Sequence, residues 1–460
     1  MESLLNTRYL SMVMAAALLF TACKKEDDED EPVDTPTTRQ FTITANGNVN
    51  TVEGNSDVNY TFTNDKVWLL KNFVYVESGA TLTIEPGTII KGDKDTKGTL
   101  IIKRGAKIMA EGTASQPIVF TSNKPIGSRA AGDWGGLILC GKAKNNQPNG
   151  EAIVEGGVEA MYGGSDDTDN SGVLRYARIE FPGIPFQPGQ EINGLTLASV
   201  GRGTTIDHIQ VSFSGDDSYE WFGGNVDVKH LVAYKGLDDD FDMDNGFSGR
   251  FQFGVALREP NTADGSGANS FEHDNDANGA AVEPFTTPII SNVSVFGPRA
   301  TASTAYDETN YKRATHLRRN THSRVFNSVF AGFPTGCLID GSACEANADA
   351  NELKVKNCVY SGYSTLTAVA SGSTWDISTW FANSGNMSYA ENSELGVVDG
   401  FNQSAPDFTL SGGSPLASGA DFTDGDLGVS FFENVTYRGA FGTENWTAGW
   451  CNWDPQNTVY

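Results

Sequence analysis

Apolar residues recur at alternate positions in short runs along the chain, and the runs themselves repeat. Ile206-Asp207-His208-Ile209-Gln210-Val211 returns 22 residues later as Val228-Lys229-His230-Leu231-Val232-Ala233. The match continues through the turn that follows. Asp216-Asp217 aligns with Asp238-Asp239, Tyr219 with Phe241, Glu220 with Asp242 and Trp221 with Met243. Alternation with a period of two buries one side of a strand and exposes the other. Its return at this interval is the pattern of stacked β coils, each of which needs its neighbours to complete a core. Similar strands surround Asn292 (IISNVSVFGP), Asn327 (VFNSVFAG) and Asn357 (VKNCVYSG), with a weaker copy, LRYARIEFPG, around Tyr176. The N-terminal third repeats differently, as short alternating strands punctuated by glycine: VYVESGATLTIEPGTIIKGD, GTLIIKRGAKIMAEGTASQPIVFTS and DWGGLILCGKA. The predicted fold is all-β, a right-handed parallel β-helix with irregular loops. A β-propeller or a sandwich is the alternative, but a propeller blade takes about 40 residues, well beyond the repeat seen here. His208 and His230 hold the place of Asn292, Asn327 and Asn357. An asparagine there can bond to the coils above and below and satisfy buried backbone groups, so the two histidines are predicted to be structural.

The first residues follow another pattern. An apolar run from Tyr9 to Phe20 follows Arg8, the only basic residue before it. A membrane-spanning helix needs about 20 apolar residues, whereas this run has the length of a signal-peptide core preceding small residues. Phe20-Thr21-Ala22-Cys23 resembles the lipobox of bacterial lipoproteins, with Phe20 where leucine is more usual. The expectation is a signal peptide over residues 1–22, cleaved to leave an acylated Cys23. Six consecutive acids, Glu26–Glu31, then repel one another and cannot bury apolar surface. With Pro32 and Pro36 they predict a flexible tether over 23–40 and a folded domain over 41–460. Lys24-Lys25-Glu26-Asp27 resembles the surface-export signal of lipoproteins of the Bacteroidota, which implies a lipid-anchored protein displayed on the outer face of the outer membrane.

Charge narrows the list of partners. The formal net charge is −26, from 32 Lys and Arg against 58 Asp and Glu. That argues against nucleic acid, whose binding needs basic groups to neutralise phosphates, and suits a surface protein or one that binds cations. Besides Cys23 there are five cysteines, 140, 337, 344, 358 and 451. Cys337 and Cys344 flank a short polar stretch and could form a loop disulfide in an oxidising compartment. No CxxC pair is present, which argues against a structural zinc site.

The runs ESGATLTIEPGTIIKGD, GTLIIKRGAKIMAEGT, DWGG, GLDDDFDMDNGFSGRFQFG and NWTAGWCNWDPQ resemble a family of Bacteroidota lipoproteins with predicted β-helices. The resemblance covers most of residues 60–460. It implies fold and location and little chemistry, because most members are of unknown function.

Candidate chemistry centres on the acidic turns. SGDDSYEW at 214–221 and LDDDFDMD at 237–244 should lie on adjacent coils, about 4.8 Å apart. Stacking would gather Asp216, Asp217, Glu220, Asp238, Asp239, Asp240 and Asp242, with Tyr219 and Trp221 beside them as sugar-stacking aromatics. So many carboxylates in contact need a counter-ion or must fan into water. Calcium takes several hard oxygen ligands, and the expected metal ligands are Asp238, Asp239, Asp242, Asp244, Asp274, Asp276 and Asn278. The last three come from a run that matches the first half of a DxDxNG calcium loop. Phe285 stands where an EF-hand needs its glutamate, which excludes an EF-hand. No organic cofactor is expected.

Three functions remain open. One is a non-catalytic binding or structural module for glycan or nutrient capture with calcium. A second is a calcium-dependent polysaccharide lyase or glycoside hydrolase. Ser214-Gly215-Asp216-Asp217 resembles the GDD motif of polygalacturonases, and Arg313, His316, Arg318, Arg319, His322 and Arg324 offer basic groups. The companion motifs NTD, GHG and RIK are not found in order. The third is an accessory protein of an outer-membrane transporter or assembly complex. Trp446, Trp450 and Trp453 are predicted to cap an open end of the helix, because an uncovered sheet edge invites pairing with other chains.

Overall fold

A computed structural model describes residues 38–187 and 190–460. The signal segment, Cys23 and the tether up to residue 37 lie outside the described residues. From Phe41 onward the chain winds as a right-handed parallel β-helix. Each coil contributes one short strand and one long, bent strand. The short strands stack as a single ladder that includes Thr99–Ile102, Gly136–Cys140, Leu195–Ala198, Tyr219–Phe222, Phe241–Asp244, Phe271–His273, Arg313–Leu317, Thr335–Ile339 and Thr365–Val369. The bent strands stack beside them, among them Gly172–Glu180, Thr205–Ser212, Val228–Tyr234, Arg250–Leu257 and Ile289–Phe296. The two copies read from the sequence, 206–211 and 228–233, are parallel neighbours in register.

The bend has one cause in every coil. Tyr176, His208, His230, Phe253, Asn292, Asn327 and Asn357 all sit at left-handed φ between 46° and 63° and hold equivalent places at the corner. Non-glycine residues enter this region at a cost, and asparagine does so most readily. The corner therefore turns the strand from one face to the next. His208 and His230 stack at 4.1 Å between centroids, continued by Tyr176 on one side and Phe253 on the other. Their Nδ1 atoms both lie within 2.9 Å of Asp207 Oδ1. The histidines are thus packed corner residues.

The inward sides of all coils form one continuous apolar core. At the first end, Phe41 packs on Phe62 under the hairpin of Thr42–Asn46 and Val49–Ser56. At the last end, the helix Ile377–Asn383 lays Phe381 against Tyr360. The C-terminal tryptophans do not cap an end, which corrects the expectation above. The tail runs back along the flank of the corner residues, with Trp450 edge-on to Tyr176 and His208, Trp446 against His230 and Trp453 on Tyr234. Outward amides hold it there: Gln210 bonds both backbone groups of Asn452, and Gln252 those of Glu433. Asn292 and Asn327 likewise donate to this tail, so these corner asparagines tie down a strap as well as bonding to neighbouring coils. Cys337 and Cys344 are free and buried, so the anticipated loop disulfide is not formed.

Candidate functional site

The ladder of short strands positions the acids. Parity within each strand sends Tyr219, Trp221, Phe241, Met243, Phe271 and His273 into the core and the residues between them outward. Register then stacks Thr196, Glu220, Asp242, Glu272 and His316 in one outward column, one residue per coil. A second column lies in the turn before each strand and runs Asn193, Asp217, Asp239, Asn269. In it Asp217 Oδ1 accepts the backbone N–H of Asp239 at 2.8 Å, and Asp239 Oδ1 that of Asn269 at 2.5 Å. Each coil's carboxylate thereby satisfies a buried backbone donor of the next coil. Asp216 and Asp238 flank this column.

These groups line a cavity of about 310 Å³, together with Glu155, Glu191, Asn193, Ser266, Gly267 and Arg318. Three sets of oxygens lie within 4.8 Å of one another: Asp216, Asp217 and Asp238; Asp217, Glu220 and Asp242; and Asp239, Asp242 and Glu272. Asp217 and Asp242 each belong to two sets. Burial, reinforced by the neighbouring charges, holds Asp216, Asp217, Glu220, Asp239 and Asp242 well above the usual carboxylate range. Burial raises Asp238 to about 6. Glu272 moves the other way: burial alone would raise it, but His316 and Arg318 beside it win and hold it low. One oxygen of Asp242, Oδ1, is shut off from solvent and has no hydrogen-bond partner.

Several expected members are elsewhere. Tyr219 and Trp221 are wholly buried, and the Tyr219 hydroxyl donates to the backbone oxygens of Ile209 and Val232, so neither can stack on a ligand. Asp240 faces away from the cavity into a buried ion pair with Arg258, 2.9 Å away. Asp274 is neutralised by Arg318 and Arg319, each at 2.7 Å. Asp276 caps its own turn, accepting the N–H groups of Asn278 and Ala280. Asn278 lines a neighbouring cavity with Arg319. Asp244 accepts the N–H of Asn245, and burial beside the Asp274 charge raises it to about 7. Among the described residues, no close set of oxygens includes Asp244, Asp274 or Asp276. The basic run also disperses into pairs: His316 between Glu272 and Asp340, Arg318 on Glu272 and Asp274, His322 on Glu352 and Arg324 on Asp426.

The sequence model of a family described as a pectate-lyase-like β-helix domain matches residues 54–403, well over half of the chain. The chain belongs to the pectate-lyase-like β-helix family. Among solved structures, the Dettilon tailspike protein (gp208) is similar at 10% identity and a TM-score of 0.26, over 67% of this chain and 62% of its own length. No curated protein matches.

Within this pectate-lyase-like β-helix, the cavity's unanticipated members are Glu155, Glu191, Asn193 and Glu272. Asn193 donates through Nδ2 to Glu155 and to Glu220, holding two acids apart at the cavity's edge. Glu272 follows Asp242 by 30 residues instead of 22, because a loop before Phe271 lengthens that coil. Only a register carried across the insertion would have found it.

Proposed function

We propose that this protein is a lipid-anchored, outer-membrane surface protein that captures a glycan at the acidic cavity, with calcium as the bridge and without cleaving it. The observation that carries this reading is the three overlapping sets of carboxylate oxygens joined through Asp217 and Asp242. Crowded, buried carboxylates are costly unless protonated or neutralised by a cation. The donor set is all hard oxygen, which fits calcium, and the orphaned Oδ1 of Asp242 is an acceptor that a cation would satisfy. Asp216, Asp217, Asp238, Asp239, Glu220, Asp242 and Glu272 would hold it. A bound divalent cation supplies positive charge to which hydroxyl or carboxylate oxygens of a sugar can coordinate. The family's description names pectate lyase, which supports a carbohydrate as the ligand.

The test is thermal. A ligand that binds only the folded state stabilises it by about 2.7 kcal/mol at a hundredfold excess over Kd. Calcium should therefore raise the melting temperature, and Asp238→Asn with Asp239→Asn should abolish the rise. An unchanged melting curve in both proteins means that the acids form a solvated face.

The alternative, a carbohydrate-active enzyme, is favoured by one observation: Arg318 lines the same cavity as Asp238, whose pKa of about 6 suits proton transfer near neutrality. Retention of polysaccharide that calcium promotes and EDTA reverses, with no shortening of the chains, supports capture. New chain ends in the same incubation support the enzyme.

A further inference from the structure

The geometry points to a second saccharide site at the last coil, where Trp375 and Trp380 form a platform for a neutral sugar ring. It shares with the reading above only the class of ligand. The outward column that carries Asp242 continues through Glu272, His316 and Leu338 to Ala368. Four coil spacings put this end about 19 Å along the axis from Asp242. Beyond it the chain forms the helix Ile377–Asn383, and the side chains that close the core are Ile377 and Phe381, both buried. The two tryptophans are not needed for that closure to the same degree. Each is only part-buried, their rings 5.5 Å apart at 49°, and both line a cavity of about 560 Å³.

The platform is built rather than loose. Trp375 Nε1 donates to Asp349 Oδ1 at 3.0 Å, which fixes its ring. The helix that presents Trp380 is capped by Asp376, which accepts both the N–H and the hydroxyl of Thr379. Asn351 and Asn383 complete the wall with amide donors and acceptors. Indole faces beside amides, hydroxyls and carboxylates match a sugar, which offers an apolar C–H face and a rim of hydroxyls. No member of the three close carboxylate sets lines this cavity, so binding here needs no cation.

The experiment uses the full chain and an array of neutral gluco-, manno-, xylo- and galacto-oligosaccharides of about six residues, a size chosen so that several rings can bury in a cavity of this class. At least one should bind by titration calorimetry equally well in calcium and in EDTA. Trp380→Ala should weaken that binding about tenfold or more, and Trp380→Phe should restore part of it. Because Trp380→Ala could also loosen the end of the helix, Asn383→Ala, an exposed change, provides the second reading: about three- to tenfold weaker binding at an unchanged melting temperature. Asp238→Asn with Asp239→Asn should leave the affinity as it was, which separates this site from the acidic cavity. No binding to any array member in EDTA, or binding indifferent to both Trp380→Ala and Asn383→Ala, overturns the proposal.

Discussion

Asp217 and Asp242 each sit between two other pairs of acids, so protonating any one member eases several contacts at once. The direction of that coupling fixes a pH dependence. A carboxyl with a higher pKa in the folded than in the unfolded chain takes protons more readily when folded. Its contribution to stability is present below the unfolded value, near 4, and is lost as pH rises through the folded one. The folded values are about 6 for Asp238 and about 7 for Asp244, with the more buried acids shifted in the same direction. In metal-free buffer the melting temperature should fall between about pH 4 and about pH 8. Asp238→Asn with Asp239→Asn should flatten that fall, and calcium should reverse it at the upper end. A melting temperature that rises with pH over this window in EDTA would contradict the crowding. The same residues show what could be read in advance. Strand parity separates Glu220 and Asp242 from the buried Tyr219 and Trp221, and applying it strictly would have kept the aromatics out of the site. The turn acids have no such parity. Asp239 and Asp240 are adjacent, yet one lines the cavity and the other pairs with Arg258, whose position 18 residues on carries no repeat to announce it.

At the scale of the coil, the corner residue is the element on which stacking depends. Its left-handed φ is shared by aromatic, histidine and asparagine side chains, so backbone conformation rather than side-chain chemistry is the common demand. His230→Asn should therefore be tolerated, with a loss below about 1 kcal/mol after the exchange of ring stacking for an easier φ. His230→Val puts a β-branched residue at φ 52° and should cost about 1–3 kcal/mol or more. Chemical denaturation of the two variants tests the ranking, and a valine variant as stable as the asparagine one would remove the corner argument. The coils were legible because their period is nearly constant and each strand alternates. The strap was not. Its anchors join Gln210 to Asn452 and Asn327 to Asp421, and nothing local at either end marks the pairing. Its tryptophans signalled an apolar surface in need of cover without saying that the surface was a flank.

For the whole molecule, membrane attachment must come from outside the solenoid if it occurs by an α-helix or a lipid: among the described residues no helix is long and apolar enough to cross a membrane. Cys23 and the acidic run after it are the features that would supply an anchor and a spacer. One acyl chain gives only marginal, reversible attachment, whereas two or more hold a protein stably. Cys23→Ala should therefore move the protein wholly from the membrane pellet to the soluble fraction, with its melting temperature unchanged. Replacing Lys24–Asp27 with alanine should do something different. The protein should stay in the pellet but become resistant to protease added to intact cells, because anchoring is kept while display is lost. If the Cys23→Ala protein still sediments with membranes, the lipid anchor is wrong. If the alanine segment leaves the protein open to external protease, the export signal lies elsewhere, and the cavity's access to glycans outside the cell no longer rests on residues 24–27.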